Sequence, residues 1–269
     1  MTEPVLMVED LHARYGDVHV LQGIDLTVEP AEIMVIMGGS GSGKSTFLRH
    51  LLGLELPTQG SVRLLGEDTS RLSETALNRL RRRMGVAFQS GALLSSMSVG
   101  ENVLLPLREH TRLEEETMRI MMRMKLDVVN LPESEDLMPA QLSGGMVKRA
   151  AMARAIIMDP RILFLDEPGA GLDPVVSAGL DELILKLRDA MGMSVVVVTH
   201  ELDSAFRIAD RICVLDRGQR LVCDRVEAVR NSDNERVQAL LNRRLEEEEA
   251  DPEVYLQRLI DRRQQRAGH

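Results

Sequence analysis

A glycine-rich stretch between an apolar run and a helical pattern carries the clearest chemical signal in the sequence. Glycines let successive backbone N–H groups point into one anion site, and the positive end of the following helix adds to that site. Lys44 is expected to bridge the β- and γ-phosphates of a nucleotide, and the Ser45 hydroxyl to bind Mg²⁺. A turn that merely joins strand to helix is the alternative, but every fixed position of a phosphate-binding P-loop is present. The predicted phosphate-binding residues are Gly38, Gly39, Ser40, Gly41, Ser42, Gly43, Lys44, Ser45 and Thr46.

Four further polar side chains follow apolar, strand-like runs. Because parallel strands end at one edge of a sheet, we expect Asp166, Glu167 and His200 to face the P-loop. Asp166 would hold Mg²⁺ through water, and Glu167 would polarise the water that attacks the γ-phosphate. His200 could touch the γ-phosphate, whereas Gln89 could reach the Mg²⁺ or the attacking water. The predicted catalytic residues are Lys44, Gln89, Glu167 and His200.

Two other features are compatible with a nucleotide site. Ser143 begins a helical pattern as a good N-cap, and Gly144 and Gly145 leave backbone N–H groups open for a second anion. By itself this short motif is weak evidence. Tyr15 lies in a strand-like region, where its ring could stack on an adenine or pack against the core, and the local pattern favours neither.

The composition is that of an ordinary soluble protein, with 44% apolar and 28% charged residues in a chain of 269. The apolar runs are strand-sized, and the acidic N-terminus lacks a secretory signal, which predicts a cytoplasmic protein. The net charge of −9 argues against nucleic acid as the main partner. Cys213 and Cys223 flank a predicted hairpin turn and are expected to be free thiols in a reducing compartment.

The elements that must position these residues alternate between strands and helices. Alternating apolar residues predict antiparallel strands over 1–30, with Gly16 and Gly23 at turns, and 60–66 as a further strand of that sheet. The stretch 93–158 is predicted to be mainly helical. Methionines at helical spacing within it fit an adaptable docking surface or, as the preferred interpretation, an irregular core. These methionines are Met118, Met121, Met122 and Met124.

In this order, the motifs resemble those of the ATP-binding-cassette (ABC) ATPases over about residues 5–225. The signature Leu-Ser-Gly-Gly at 142–145, ahead of Asp166 and Glu167, marks that class. The resemblance implies ATP and Mg²⁺ as ligands. It also implies an α/β fold in which a P-loop NTPase core carries an antiparallel β subdomain and an inserted helical subdomain at about 93–158.

The resemblance also assigns roles to single residues. It implies that Tyr15 is the adenine-stacking residue, that Gln89 belongs to the Q-loop and that His200 is the switch histidine. Residues 170–173 match the D-loop. In that family two copies hold two ATP molecules, each between the P-loop of one copy and the signature of the other. Residues 143–145 would therefore act on the ATP of a second copy in a homodimer.

The sequence is most similar to ATPase subunits of Mla-type phospholipid transporters, named for maintenance of lipid asymmetry. The similarity lies in 88–94, 101–103, 106–110 and 142–149, although Met146 replaces the usual glutamine and Gly169 replaces a common serine or threonine. It implies an ATP-hydrolysing subunit, cytoplasmic and peripheral on the inner face of the inner membrane. Such a subunit moves phospholipids between inner and outer membranes to maintain outer-membrane lipid asymmetry. Its implied partners are integral-membrane permease subunits with lipid-binding and small accessory subunits.

Three alternatives are considered at this point. The ATPase subunit of an importer for a small solute would share every catalytic motif. A scaffold that binds nucleotide without hydrolysis is disfavoured by the presence of Glu167 and His200. A soluble ABC protein of DNA repair or translation is disfavoured by the acidic net charge.

The domain prediction divides the chain near residue 240. Residues 1–240 are predicted to form the nucleotide-binding domain, with 226–250 a polar helix end or linker. Residues 241–269 are predicted to be a C-terminal extension, in which Asp251 and Pro252 start a short amphipathic helix. That helix could dock on a partner ATPase, fold back on its own domain or fray.

Overall fold

Two β-sheets organise the chain in a computed structural model, which describes residues 3–242. The strands are β1 (Leu6–Tyr15), β2 (Val18–Val28), β3 (Ile33–Gly38), β4 (Gln59–Leu64), β5 (Glu67–Asp68), β6 (Met84–Ala87), β7 (Ile162–Asp166), β8 (Ser194–Thr199), β9 (Arg211–Asp216) and β10 (Gln219–Arg225). The antiparallel sheet has the strand order β2-β1-β4-β5, and the central sheet has the order β10-β9-β3-β8-β7-β6. This arrangement confirms the predicted α/β core with an antiparallel β subdomain.

The central sheet is parallel from β9 to β6, and β10 closes one edge as an antiparallel strand. Every residue of β3 and β8 is buried. Strands with both faces covered have no solvent-facing side, which explains why these two strands read as continuous apolar runs. The carboxyl ends of β3, β7 and β8 lie at the same edge, which brings the P-loop, Asp166 and His200 to one place.

The antiparallel sheet contains the predicted strands but not both predicted turns. Gly16 lies in the turn between β1 and β2, as expected. Gly23 does not mark a turn, because β2 continues through it from Val18 to Val28. Its backbone has φ +71°, and the β1–β2 register shifts at this residue, between the pairs Leu11–Ile24 and His12–Gln22. The left-handed glycine therefore accommodates a β-bulge, which bends the strand without ending it.

The helices lie between the strands and at the chain end. They are α1 (Lys44–Leu51), α2 (Glu74–Arg81), α3 (Val99–His110), α4 (Glu115–Val128), α5 (Gly144–Ile156), α6 (Pro174–Met191), α7 (Leu202–Ile208), α8 (Val226–Arg230) and α9 (Glu235–Leu241). Short 3₁₀ turns occur at Thr69–Arg71 and Pro139–Gln141. Within the described residues, no helix is both long enough and apolar enough to cross a membrane.

Three of these helices, α3, α4 and α5, make 93–158 mainly helical, as predicted. On α4, Met118 and Met122 are buried in the core, and Met121 packs against it. Met124 is 61% exposed, so the core interpretation is wrong for this residue. The reason is helical geometry, because Met124 lies on the face of α4 that also exposes Ile120 and Val128.

The last described segment packs against the core. Val226 and Val229 on α8 and Val237 on α9 are buried. The prediction of a polar linker from residue 226 is therefore wrong for 226–241, where a few valines at helical spacing are enough to seat two short helices. The predicted docking helix at 251–260 lies outside the described residues.

The predicted hairpin at 216–219 joins β9 to β10 and reaches the P-loop. Cys213 and Cys223 face each other across these strands, and both thiols are free, as expected. Gly218, in the turn, donates its N–H to the Ser42 carbonyl oxygen at 3.1 Å. A Cβ at this position would lie 2.1 Å from the Val20 carbonyl oxygen, so the close approach requires glycine.

Candidate functional site

The loop between β3 and α1 forms a cradle of backbone groups. Gly41 and Gly43 have φ angles of +74° and +99°, which residues with side chains adopt only with strain. Gly43 is the N-cap of α1 and supplies no side-chain cap, so the first N–H groups of the helix stay available to a ligand. Lys44 Nζ donates to the carbonyl oxygens of Gly38 at 2.7 Å and Gly39 at 2.9 Å. The lysine is thereby folded back over the loop.

The base of this cradle is tightly packed. A Cβ on Gly38 would lie 2.3 Å from the Leu215 carbonyl oxygen and 2.5 Å from Ser42 Oγ. Ser42 Oγ is buried and has no hydrogen-bond partner within the described part of the chain. Burial lowers the pKa of Lys44, an effect opposed by the charges of Glu167 and Asp166. A cation, free helix N–H groups and an unused hydroxyl fit the phosphate groups of a nucleotide.

Two carboxylates stand at the end of β7, opposite the loop. Burial, and then the charge of Glu167, raises the pKa of Asp166, whereas Lys148 and Lys44 lower it. Glu167 adopts a left-handed backbone conformation with φ +48°. Strain of this kind is concentrated at functional positions, where the surrounding structure holds it in place.

The Glu167 carboxylate is held by two neighbours from the end of β8. Thr199 Oγ1 donates to Glu167 Oε2 at 3.2 Å, and His200 Nδ1 lies 2.8 Å from Oε1. The Glu167 side chain is only 12% exposed, whereas that of His200 is 62% exposed. The histidine therefore orients a shielded carboxylate while its own ring remains accessible from solvent.

Gln89 joins the cluster through its backbone. It lies in the exposed loop after β6, and its carbonyl oxygen accepts a hydrogen bond from Lys148 Nζ. The same ammonium group donates to the Glu167 carbonyl oxygen at 2.9 Å. Sequence reasoning did not single out Lys148 as part of the site. The available signal was a lysine on a helix that is otherwise largely alanine, methionine and isoleucine on its buried side.

Tyr15 ends β1 with a side chain that faces solvent. It is 46% exposed, and its hydroxyl donates to the Glu55 carboxylate, which raises the pKa of Tyr15. The alternative of a tyrosine packed in the core is therefore wrong, and a stacking role is structurally open. Arg49 Nη1 lies 3.3 Å from Glu55 Oε1, so the glutamate that accepts from the Tyr15 hydroxyl is itself held by an ion pair.

The structure does not bring the signature residues to the P-loop of the same chain. Ser143 caps α5 through its Oγ, which accepts from Met146 N at 3.3 Å, as predicted. The side chains nearest to Gly144 and Gly145 are those of Leu172 and Val176, from the D-loop and α6. The start of α5 is therefore separated from the P-loop cradle, as expected if it serves a second copy.

The two departures from the family pattern have different surroundings. A Cβ on Gly169 would lie 2.6 Å from Glu201 Oε2 and 2.7 Å from Ser177 Oγ, so these polar groups occupy the space that a side chain would need. Met146 is partly buried and packs against the core. Its side chain is used for packing at the start of α5.

The chain matches the ABC transporter family model over residues 21–170. It is 41% identical over 210 residues to the intermembrane phospholipid transport system ATP-binding protein MlaF of Haemophilus influenzae, which spans 78% of this chain and 80% of that protein. MlaF of Escherichia coli K12 is 38% identical over 235 residues, 87% of each chain. A dimeric post-hydrolysis structure of the ATP-binding cassette MJ0796, bound to ADP and Pi, superposes with a TM-score of 0.75 at 32% identity. It covers 82% of this chain and 98% of that one.

The family match covers the P-loop and extends through the two carboxylates to the D-loop, the same motifs whose side chains converge at one edge of the central sheet. The structural likeness to a nucleotide-bound cassette extends over most of the chain. This protein belongs to the ABC transporter family and is one of its ATP-hydrolysing cassettes.

Proposed function

We propose that this chain powers the movement of phospholipids between the inner and outer membranes, which maintains outer-membrane lipid asymmetry. It would act as a cytoplasmic subunit, peripheral on the inner face of the inner membrane. The shielded Glu167 carboxylate, oriented by His200 and Thr199 beside Lys44, carries the hydrolytic part of this proposal. The choice of phospholipid as cargo is supported by 41% identity to a protein named for intermembrane phospholipid transport.

The proposed nucleotide contacts follow from the cradle. The loop N–H groups and Lys44 bind the β- and γ-phosphates of ATP, and Tyr15 stacks on its adenine ring. Ser45, Gln89 and Asp166 would hold Mg²⁺, directly or through water. Bound there, the ion would supply positive charge to offset the negative charge of the phosphate groups. The phosphate-binding set is Gly38, Gly39, Ser40, Gly41, Ser42, Gly43, Lys44, Ser45 and Thr46.

Glu167 is the proposed general base. His200 and Thr199 each occupy one oxygen of its carboxylate, so the carboxylate orientation is set before substrate arrives. Glu167 draws a proton from the attacking water, while Lys44 stabilises the negative charge that the γ-phosphate carries. The exposed ring of His200 can contact the γ-phosphate from the same side. Gln89, at the loop after β6, completes the catalytic set.

A second copy completes the site in this proposal. Ser143, Gly144 and Gly145 would act on the ATP of the partner copy, and the proximity of Gly144 to Leu172 and of Gly145 to Val176 is compatible with this role. Residues 1–240 form the nucleotide-binding domain, with 93–158 as its helical subdomain. Residues 241–269 are proposed to be a C-terminal extension.

The remaining partners are membrane components. Integral-membrane permease subunits receive the motion of the dimer, and lipid-binding and small accessory subunits complete the transporter. The net charge of −9 is consistent with a machine that does not bind nucleic acid. The comparisons contain no observation that favours an importer for a small solute over this function.

The test uses the full chain purified with its membrane partners from detergent-solubilised membranes. Glu167→Gln is expected to retain Mg-ATP binding while phosphate release falls by about 10²-fold or more. Glu182→Gln, the same chemical change on the exposed face of α6, is the matched control and should hydrolyse ATP normally.

The cargo is tested on the same complex in liposomes. We expect ATP, but not a non-hydrolysable analogue, to drive transfer of labelled phospholipid between membranes. The Glu167→Gln complex should fail to transfer it. Normal turnover by Glu167→Gln would remove the assigned base, and hydrolysis stimulated by a small solute but not by phospholipid would establish the importer instead.

A further inference from the structure

We propose that Lys148 is a positioning residue that holds the catalytic Glu167 and the Gln89 loop in one fixed arrangement. It does so through the backbone carbonyl oxygens of both residues, without touching substrate. The inference rests on the proposed function, because Glu167 is the general base only if this chain hydrolyses ATP as described above.

Lys148 is a buried lysine, which is rare unless its charge is paired or hydrogen-bonded. The residue is 8% exposed and lies on α5, one turn after the signature. Its ammonium group donates to the carbonyl oxygens of Gln89 and of Glu167, the latter at 2.9 Å. Burial lowers the pKa of Lys148, and the carboxylates of Asp166, Glu167 and Glu201 oppose that effect. The lysine thus bridges two loops that are 78 positions apart in sequence (167 − 89).

The backbone of Glu167 adopts a strained conformation that its hydrogen bonds must stabilise. Its left-handed backbone, with φ +48°, is a conformation that residues with a Cβ resist. Its N–H donates to the Val198 carbonyl oxygen at 2.8 Å, and its own carbonyl accepts from Lys148 and, at 3.3 Å, from Ala170 N. Without the ammonium group, the peptide that follows Glu167 loses its shorter contact. The carboxylate can then turn away from Thr199 and His200.

The Gln89 end is held by the same helix at several points. Arg154, also on α5, donates to the carbonyl oxygens of Ala92 at 2.7 Å and Gly91 at 2.9 Å. A Cβ on Gly91 would lie 2.7 Å from Val147 Cγ1, so the loop lies directly on the helix. Lys148 differs from these residues because its ammonium group also donates to the Glu167 carbonyl oxygen. A displacement of the loop relative to α5 is therefore transmitted to the general base through one side chain.

A purely structural role would be to satisfy two buried carbonyl oxygens. Losing that role would lower stability and would impair substrate binding and turnover together. A positioning role predicts a different pattern, because only the transition state depends on the orientation of Glu167. Turnover should then fall while the Michaelis constant for ATP stays the same.

The primary variant is Lys148→Met, which keeps the length of the side chain but removes the donors. In the full transporter complex, we expect kcat to fall by about 10- to 100-fold, as small misplacements of a catalytic group do, with KM for ATP within about twofold. Lys148→Arg, which can still donate, should recover at least part of kcat. The matched control is Arg149→Met, which removes a neighbouring cation that donates to the Val129 carbonyl oxygen at 3.1 Å and should leave kcat within about threefold.

A double-mutant cycle separates Lys148 from other causes of low activity. In single-turnover assays with labelled ATP, Lys148→Met should change the residual rate of Glu167→Gln by less than about twofold, because the positioned carboxylate is already absent. If Lys148→Met does not fold, Lys148→Leu, which also lacks a donor, replaces it, and the same fall in kcat at constant KM is expected.

Three results would overturn the inference: wild-type kcat in the Lys148 variant, a rise in KM at constant kcat, or the same fractional loss in the Glu167→Gln background as in wild type. Normal turnover by Glu167→Gln alone would instead refute the proposed function. Loss of turnover in Glu167→Gln together with full activity in Lys148→Met would refute only the role of Lys148.

Discussion

Two adjacent glycines in the P-loop provide a direct test of how tightly this loop is built. A Cβ on Gly38 would meet the Leu215 carbonyl oxygen at 2.3 Å and Ser42 Oγ at 2.5 Å. A Cβ on Gly39 would meet nothing within 4 Å, and the Gly39 backbone lies outside the left-handed region. Substitution by alanine adds the same methyl group to both positions, so any difference between them comes from the surroundings.

The expected magnitude follows from these distances. Ordinary contacts of a Cβ begin at about 3.4 Å, so the Leu215 carbonyl on β9 would have to withdraw by about 1 Å. Backbone in the middle of a buried sheet cannot yield this much without disrupting its neighbours. Gly38→Ala should therefore lower the free energy of unfolding by about 2–3 kcal/mol, the upper range for overpacking. Gly39→Ala should change it by less than about 1 kcal/mol.

The assay is thermal unfolding of the nucleotide-free chain, followed by circular dichroism. Gly38→Ala should melt roughly 5–10 °C below the wild type, whereas Gly39→Ala should melt close to it. Binding of a fluorescent ATP analogue should weaken in Gly38→Ala, because Lys44 is anchored to the Gly38 carbonyl oxygen. If the two variants melted together, the reasoning from the tight base of the loop would be refuted.

Three further predictions concern single side chains. Asn102 is fully buried; its Oδ1 accepts from Leu94 N, and its Nδ2 lies within hydrogen-bond distance of the carbonyl oxygens of Leu94, Met97 and Ser98. Asn102→Ala should therefore lower the free energy of unfolding by about 2–4 kcal/mol in denaturant unfolding, and a cost below about 1 kcal/mol would contradict this. His200→Ala should reduce kcat by about 10²-fold in phosphate-release assays, because Glu167 loses one of its two orienting contacts. The affinity for ATP should change little. Equal losses in kcat and in ATP affinity would show a binding role instead. Burial raises the pKa of Glu32, an effect opposed by the hydrogen bond from Glu29 N and by Arg211. The folded state therefore binds this proton more tightly than the unfolded chain does. The penalty of burying the charged carboxylate is relieved as the pH falls. Glu32→Gln should therefore be at least as stable as wild type at pH 7, and its advantage should shrink toward pH 5 in melting experiments; a growing advantage would reverse the sign.

Local chemistry explains what could be predicted from the sequence. The P-loop, the carboxylates at 166 and 167 and the N-cap at Ser143 depend on residue types a few positions apart. Glycine placement, apolar runs and capping side chains act on their own segment of backbone, so their consequences can be read without knowing the fold. The same holds for the parallel strands, because burial on both faces leaves a continuous apolar run.

Errors arose where the deciding partner lies far away in the sequence. Gly23 was predicted as a turn, but its pairing with β1 turns it into a bulge inside one strand. The segment from residue 226 is predicted to be a polar helix end or linker, but Val226, Val229 and Val237 are buried and pack two short helices against the core. The exposure of Met124 depends on which face of α4 meets α3 and α5.

By itself, the sequence determined which residues can bind phosphate and activate water, and which segments carry them, since these properties reside in the side chains and their immediate backbone. Only the tertiary structure decided that His200 orients Glu167, that Lys148 bridges Gln89 and Glu167, and that Gly144 and Gly145 lie beside Leu172 and Val176. The physical reason is that these contacts join strands and helices whose relative positions are set by the packing of the whole core, to which every buried residue contributes.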